Sequence, residues 1–401
     1  MGILCVFKYA NFFLANISRL TSAVGIGVID RRLDLLLPVG ISFYTFQALG
    51  YIIDVYRGEV KAEKSLLRYA LFVSFFPQLV AGPIERSKNL LRQMQGIASI
   101  EVWNFERVRD GFFLMVWGLF QKMVIADRAS LLVDKVVNHY EKYGFFELSV
   151  AVILFAFQIY CDFGGYTNIA RGAAKVMGFS LTNNFRQPYL ARSVKDFWRR
   201  WHISLTSWFT DYLYIPLGGN RKGRLRKYMN ILLVFGISGL WHGASWNFVA
   251  WGLLHAIYLI GAEGKDALLQ KVGISMPESF SKRVRETVLT FVLVDFAWIF
   301  FMSNSFMQAC RIIRQMTSAF KLSKGMNFGL DTKDWIVLML GILVLFIVDY
   351  LHEKGYSLFV LVRHQELWYR WVLYLGVIWG TIMLGIYGVG YDDNSFIYFQ
   401  F

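Results

Sequence analysis

The sequence predicts an all-α polytopic membrane protein, and three observations lead there. The composition is apolar: of 401 residues, 56% are hydrophobic, 17% aromatic and only 17% charged, where a soluble domain carries nearer a quarter charged residues. The apolar residues gather into runs of about 18 or more, the length a helix needs to cross a bilayer core. The basic excess, a formal net charge of +14, falls between those runs, as in cytoplasmic loops of membrane proteins. It forms no folded basic module, and no nucleic-acid-binding motif or Gly-rich phosphate loop accompanies it, so nucleic acid is excluded as a partner.

The runs fall at residues 35–56, 66–83, 110–126, 148–170, 230–262, 287–303, 335–351 and 371–390. The first 29 residues add one or two more. The expectation is about nine to eleven transmembrane helices, some short or broken, in a single domain over residues 1–401. The opening "MGILCVFKYANFFLANI" has neither a basic n-region nor a small-residue cleavage site, so it reads as a membrane helix rather than a signal peptide. Cys5, Cys161 and Cys310 are scattered and form no metal spacing and no disulfide framework. No internal repeat supports a two-halved transporter.

Several segments carry too many polar groups for helices that only fill lipid. "LPVGISFYTFQALGYIIDVYRG" holds Gln47 and Asp54, and "FVSFFPQLVAGPIER" holds Gln78 and Glu85. "FQIYCDFGGYTNIARGAAKVMG" holds Gln158, Asp162, Asn168 and Arg171, with two adjacent glycines that let backbones approach. Polar groups at membrane depth must face one another or a water-filled space. Singly each reads as inter-helix glue; together they predict a polar central cavity or tunnel lined by Gln78, Asp162 and Asn168.

The connector 171–229 is long yet rich in aromatics, and a structureless loop of that length is unusual in a compact domain. At 100° per residue, Phe197, Trp201, Leu205, Trp208 and Tyr212 share one face, with Arg200, Ser204, Ser207 and Asp211 on a flank. The pattern reads as an interfacial or re-entrant amphipathic helix with its tryptophans at headgroup depth. From 186 to 227, ten basic residues against Asp196 and Asp211 leave +8. That charge serves topology, and it also suits a polyanionic cytoplasmic donor.

Among six histidines, His139, His352 and His364 lie near charged connectors and read as solvated. His255 reads as a hydrogen-bonded core histidine. His242, in "SGLWHGASWNF", sits at a break marked by Gly236, Gly239 and Gly243 in very apolar sequence. An ionisable ring at membrane depth is a functional candidate, and a neutral imidazole there can take a proton. A structural hydrogen-bonding role is the alternative. No second ligand stands three or four residues on, so no metal site is expected.

Taken in order, "LPVGISFYTFQALGYIIDVYRG", "FPQLVAGPIER", "YCDFGGYTNIARG", "NFRQPYLARSVKDFWRRWHISLTSWFTDYLYIPLGGNR", "GLWHGASWNFVAWGLLHA", "FAWIFFMSNSFMQA" and the terminal "FIYFQF" resemble the bacterial branch of the membrane-bound O-acyltransferase family. The nearest likeness is to the alginate O-acetyltransferases and their peptidoglycan-acetylating cousins, over about residues 35–401. The resemblance implies a helical bundle with re-entrant helices around a central tunnel, in the bacterial cytoplasmic membrane, and further helices ahead of the segment that opens this chain. It makes His242 the general base and His202 a second site residue on the cytoplasmic side. Tyr398 becomes an acyl-accepting hydroxyl, which at neutral pH needs an adjacent base; an aromatic interface anchor is its other reading. Donor contacts are implied for Asp196, Arg199, Arg200, Trp201, Asn220, Arg221 and Trp241. The donor would be acetyl-CoA, with no bound cofactor. The partners would be membrane lipid, a polysaccharide acceptor and an extracytoplasmic acetyltransferase of the SGNH-hydrolase type. The alternatives are a D-alanyl transfer protein of teichoic-acid modification and a polysaccharide exporter or channel without chemistry.

Overall fold

A computed structural model describes residues 2–27, 33, 35, 38–273, 277–318 and 329–387. Every regular element among them is helical. The helices of six residues or more are α1 (Gly2–Ala23), α2 (Ile41–Tyr56), α3 (Leu66–Val73), α4 (Phe105–Leu119), α5 (Asp127–Asn138), α6 (Phe145–Val176), α7 (Val194–Arg200), α8 (Ile203–Phe209), α9 (Arg224–His242), α10 (Trp246–Val272), α11 (Phe280–Met302), α12 (Phe306–Ser318), α13 (Thr332–Glu353), α14 (Leu358–Arg363) and α15 (Leu367–Leu384). Side-chain oxygens start several of them: Asn104, Ser193, Ser279 and Asp331 each accept the backbone N–H three residues on, pairing a donor the helix cannot satisfy itself.

Among the described residues, α1, α6, α13 and α15 are long and apolar enough to cross a membrane. That is fewer than the nine to eleven spans read from the sequence, and the reason is local. The runs at 35–56 and 66–83 yield helices of 16 and 8 residues. The run at 230–262 is divided after His242 into α9 and α10. Helix α4 continues through a wider π-helical stretch, Phe120–Ala126, into the charged α5.

The core forms around α6, which buries most of its 32 residues. Its closest neighbour is α4, and glycines set the distance. A Cβ on Gly118 would lie 2.5 Å from the Gly165 carbonyl oxygen, and one on Gly111 would lie 2.7 Å from that of Gly172. Only residues without a side chain let the two backbones pack this closely. Gly165 is one of the two glycines read for this purpose; at Gly164 an added Cβ meets ordinary contacts of 3.6 Å.

Inside α6 and around it, buried polar groups find partners. Lys122 bridges Asp127 at 2.7 Å and Asp162 at 2.6 Å. Asn168 donates to Gln121 at 2.7 Å. Gln78 donates to Gln47, which donates on to the Phe72 carbonyl.

Candidate active site

The segment read as one amphipathic helix is two, α7 and α8, joined at a left-handed His202 (φ +44°). An outside strand of chain holds the break open. The Arg186 N–H donates to the Arg200 carbonyl, the Ile203 N–H to the Asn184 carbonyl, and the Ser204 N–H to Asn184 Oδ1. Asn184 thus caps the second helix from a distance, and the backbone groups released at the kink stay paired. The predicted apolar face is real, but it packs into protein. Trp201, Trp198 and Trp208 are all buried, and Trp208 Nε1 donates to the Phe46 carbonyl.

Helices α9 and α10 form the second half of the site. They make a hairpin so tight that a Cβ on Gly239 would sit 2.2 Å from the Phe248 carbonyl oxygen, and one on Gly252 would sit 2.1 Å from that of Phe235. His242 is the last residue of α9, at the hairpin's closed end, where Gly243 runs extended. The ring packs edge-on against Trp251 at 5.1 Å and Phe301 at 5.3 Å.

The kink and the hairpin bring the two histidines together. The ring centroids of His202 and His242 are 6.2 Å apart, and both residues are buried. Phe163 of α6 lies edge-on to His202 at 4.7 Å, and Trp241 packs against both rings. A third group at this point carries no signal in the sequence. Lys8 of α1 donates to the Trp241 carbonyl at 2.7 Å and to the His242 carbonyl at 3.2 Å. Its ammonium satisfies the orphan carbonyls at the C-terminus of α9 and complements the negative end of the helix dipole.

Two polar cavities adjoin α6, one along its C-terminal half and one at its middle. The larger, about 650 Å³, is lined by Gln121, Tyr160, Asn168, Arg171, Lys175 and Asp349, among others. It also reaches Phe185, whose ring is 5.0 Å from Phe163 and so one ring removed from His202. The smaller, about 400 Å³, includes Gln158, Asn247 and Phe301 in its walls, and Phe301 touches His242. His202 approaches the larger cavity through Phe163 and Phe185, and His242 approaches the smaller one through Phe301.

The other residues read from the sequence divide. Arg200 is held by Asp196 at 3.0 Å and by a bidentate contact to Glu353 at 2.6 and 3.0 Å, tying α7 to α13. Trp201 is buried against Phe185, Phe197 and Trp298. Arg199, Asn220 and Arg221 are exposed. Asn168 lines the larger cavity, whereas Gln78 and Asp162 are engaged by Gln47 and Lys122. Tyr398, with the terminal "FIYFQF", lies outside the described residues. His255 is buried and accepts from Trp198 Nε1 at 3.2 Å. His139 and His364 are exposed; His352 is exposed too, but it also lines the larger cavity. No cluster of three or more His, Cys, Asp or Glu among the described residues could hold a metal ion.

The family model of membrane-bound O-acyltransferases matches residues 59–309. The chain is 37% identical over 316 residues to the probable alginate O-acetylase AlgI of Pseudomonas syringae pv. tomato, covering 79% of this chain and 58% of the relative. It is 34% identical over 340 residues to the peptidoglycan O-acetyltransferase of Helicobacter pylori, covering 79% and 62%. At 27% identity over 288 residues, covering 68% and 70%, it is similar to the teichoic acid D-alanyltransferase of Bacillus subtilis. The chain spans about six-tenths of the length of the O-acetylating relatives it matches. This is an integral membrane protein, and the chain belongs to the membrane-bound O-acyltransferase family.

Proposed function

We propose that this protein takes an acetyl group from acetyl-CoA on the cytoplasmic side and delivers it across the bacterial cytoplasmic membrane for O-acetylation of an extracytoplasmic polysaccharide. The observation that carries the reading is the buried His202–His242 pair, with one polar cavity reached from His202 through Phe163 and Phe185 and another from His242 through Phe301. The larger cavity is lined by Arg107 of α4 and by Arg171 and Lys175 of α6, a charge that suits a cytoplasm-facing side by the positive-inside rule. Those cations suit a donor that bears phosphates. Names of the relatives, alginate O-acetylase and peptidoglycan O-acetyltransferase, support an acetyl group and a polysaccharide.

In the reaction, an acceptor hydroxyl attacks the thioester carbonyl. Its proton passes to the neutral imidazole of His242, the new C–O bond forms, the C–S bond breaks, and the leaving thiolate takes the proton from the ring. The site is dry and aromatic, so the developing charge interacts strongly with the few polar groups aimed at it. The acceptor is Tyr398, from which an SGNH-type acetyltransferase partner moves the acetyl group to the polysaccharide.

The test is release of coenzyme A from labelled acetyl-CoA by the purified protein. His242→Ala should lower the rate by at least about 100-fold, as expected for loss of a general base; full turnover in that variant refutes the role. Intact-mass detection of an acetylated chain, absent in Tyr398→Phe, checks the relay, and its absence in both chains would mean direct transfer.

A further inference from the structure

The segment that runs beside the α7–α8 kink has two faces. Asn183, Phe185 and Gln187 line the larger cavity, while Asn184 and Arg186 between them do not, the alternation of an extended chain. The second face serves the kink. The Asn184 carbonyl accepts from the Ile203 N–H at 3.0 Å, its Oδ1 accepts from the Ser204 N–H at 3.1 Å, and the Arg186 N–H donates to the Arg200 carbonyl at 2.9 Å. Ser204 is anchored from another side as well, its Oγ accepting from the Ile84 N–H at 3.0 Å. Among the described residues, Gln187 and His202 are the non-glycine residues with positive φ, both at +44°. A Cβ disfavours that region, which persists only where the surroundings enforce it. Asn184 and His202 are both fully buried.

The kink decides where the His202 ring goes. In an unbroken helix His202 would stand about 100° round from Trp201, off the buried face. With the break it turns inward, edge-on to Phe163 at 4.7 Å and 6.2 Å from the His242 ring. We infer that Asn184 is a positioning residue for acyl transfer: through its bonds to Ile203 and Ser204 it holds His202 in the left-handed conformation and so keeps that ring beside His242. The inference rests on the acyl-transfer reading and adds to it a residue outside both the donor cavity and the histidine pair.

The test follows coenzyme A release from acetyl-CoA by the whole chain, with kcat and KM measured separately. Asn184→Ala should lower kcat about 10- to 100-fold, the scale set by misplacing a reacting group by about 1 Å. KM for acetyl-CoA should stay within about twofold, because Asn184 is not in the wall of the larger cavity. Asn184→Asp keeps the oxygen that accepts from Ser204 and should recover most of kcat. In a His202→Ala background, Asn184→Ala should cost less than about twofold, since a residue that acts through one ring has nothing to place once that ring is gone. Wild-type kcat in Asn184→Ala, or the same fold loss in both backgrounds, overturns the proposal. Asn184→Ser, whose shorter side chain draws the oxygen back from Ser204, stands in with the same expectations if the alanine variant does not fold. A His202→Ala chain that turns over like the wild type refutes the acyl-transfer role of the histidine pair as well. A slow His202→Ala beside a full-rate Asn184→Ala refutes this proposal alone.

Discussion

Gly239→Ala is the sharpest perturbation of the site, because the geometry fixes its size. An added Cβ would meet the Phe248 carbonyl oxygen at 2.2 Å, its carbon at 2.8 Å and Val249 Cα at 3.1 Å, all backbone atoms that no rotamer change can move. Ordinary contact begins near 3.4 Å, so the two legs of the α9–α10 hairpin must part by about 1.2 Å three residues from His242. Overpacking of this kind costs about 1–3 kcal/mol, which a folded helical core of this size survives. A displacement of about 1 Å at a reacting group costs about 100-fold in rate. The expected outcome is a folded protein whose acetyl-CoA turnover falls about 100-fold. Gly236→Ala is the control on the same helix: the nearest atom to its added Cβ is a leucine methyl at 3.7 Å, and it should leave both properties unchanged. Size-exclusion profile and thermal midpoint report the fold, and coenzyme A release reports the rate. If Gly239→Ala turned over like the wild type, or if Gly236→Ala were equally damaging, the hairpin would not be what places His242.

Two further outcomes follow from particular contacts. Lys8→Met removes the ammonium from the Trp241 and His242 carbonyls; charge-assisted bonds of this kind contribute about 1.5–3 kcal/mol, so SDS titration should show a loss of about 1–2 kcal/mol together with slower turnover, and Lys8→Arg should recover much of both, whereas an unperturbed Lys8→Met would show that the contact positions nothing. In the loop before α3, Gln95, the Ser65 amide and Arg68 hold the Glu63 carboxyl down to about 2; because the folded value lies below the unfolded one of about 4.3, its contribution is present above pH ~4.3 and lost as pH falls toward 2, so Glu63→Gln should flatten the acid limb of the thermal midpoint between pH 5 and 2.5, and identical pH profiles would refute the assignment.

What was legible in the sequence was local. Helical periodicity placed the buried face of residues 197–212, and glycine spacing near His242 marked the break that became the hairpin end. The low charge and apolar runs gave the helical class. The features that were hidden depend on partners distant in the chain. Nothing about His202 announces a left-handed residue, because the conformation is imposed by Asn184 and Arg186 on the incoming strand. Lys8 lies 233 residues from the carbonyl it caps. Arg200 read as a donor contact, but Glu353, 153 residues on, holds its guanidinium. The described residues yield fewer long apolar helices than the apolar runs for a related reason: hydropathy records how apolar a stretch is, but not where its backbone turns back.

The glycine contacts between α4 and α6 also determine what kind of machine this is. Gly111 and Gly118 are seven residues apart, as are Gly165 and Gly172, and each pair meets backbone oxygens across the interface. Such a seam has one register. Sliding α4 by about one turn would drive Met115 or Gln121 into the space Gly118 occupies, which admits no side chain. Helices α4 and α6 are therefore locked together as one unit. In the proposed transfer the acetyl group moves past that unit, with no sliding of α4 along α6.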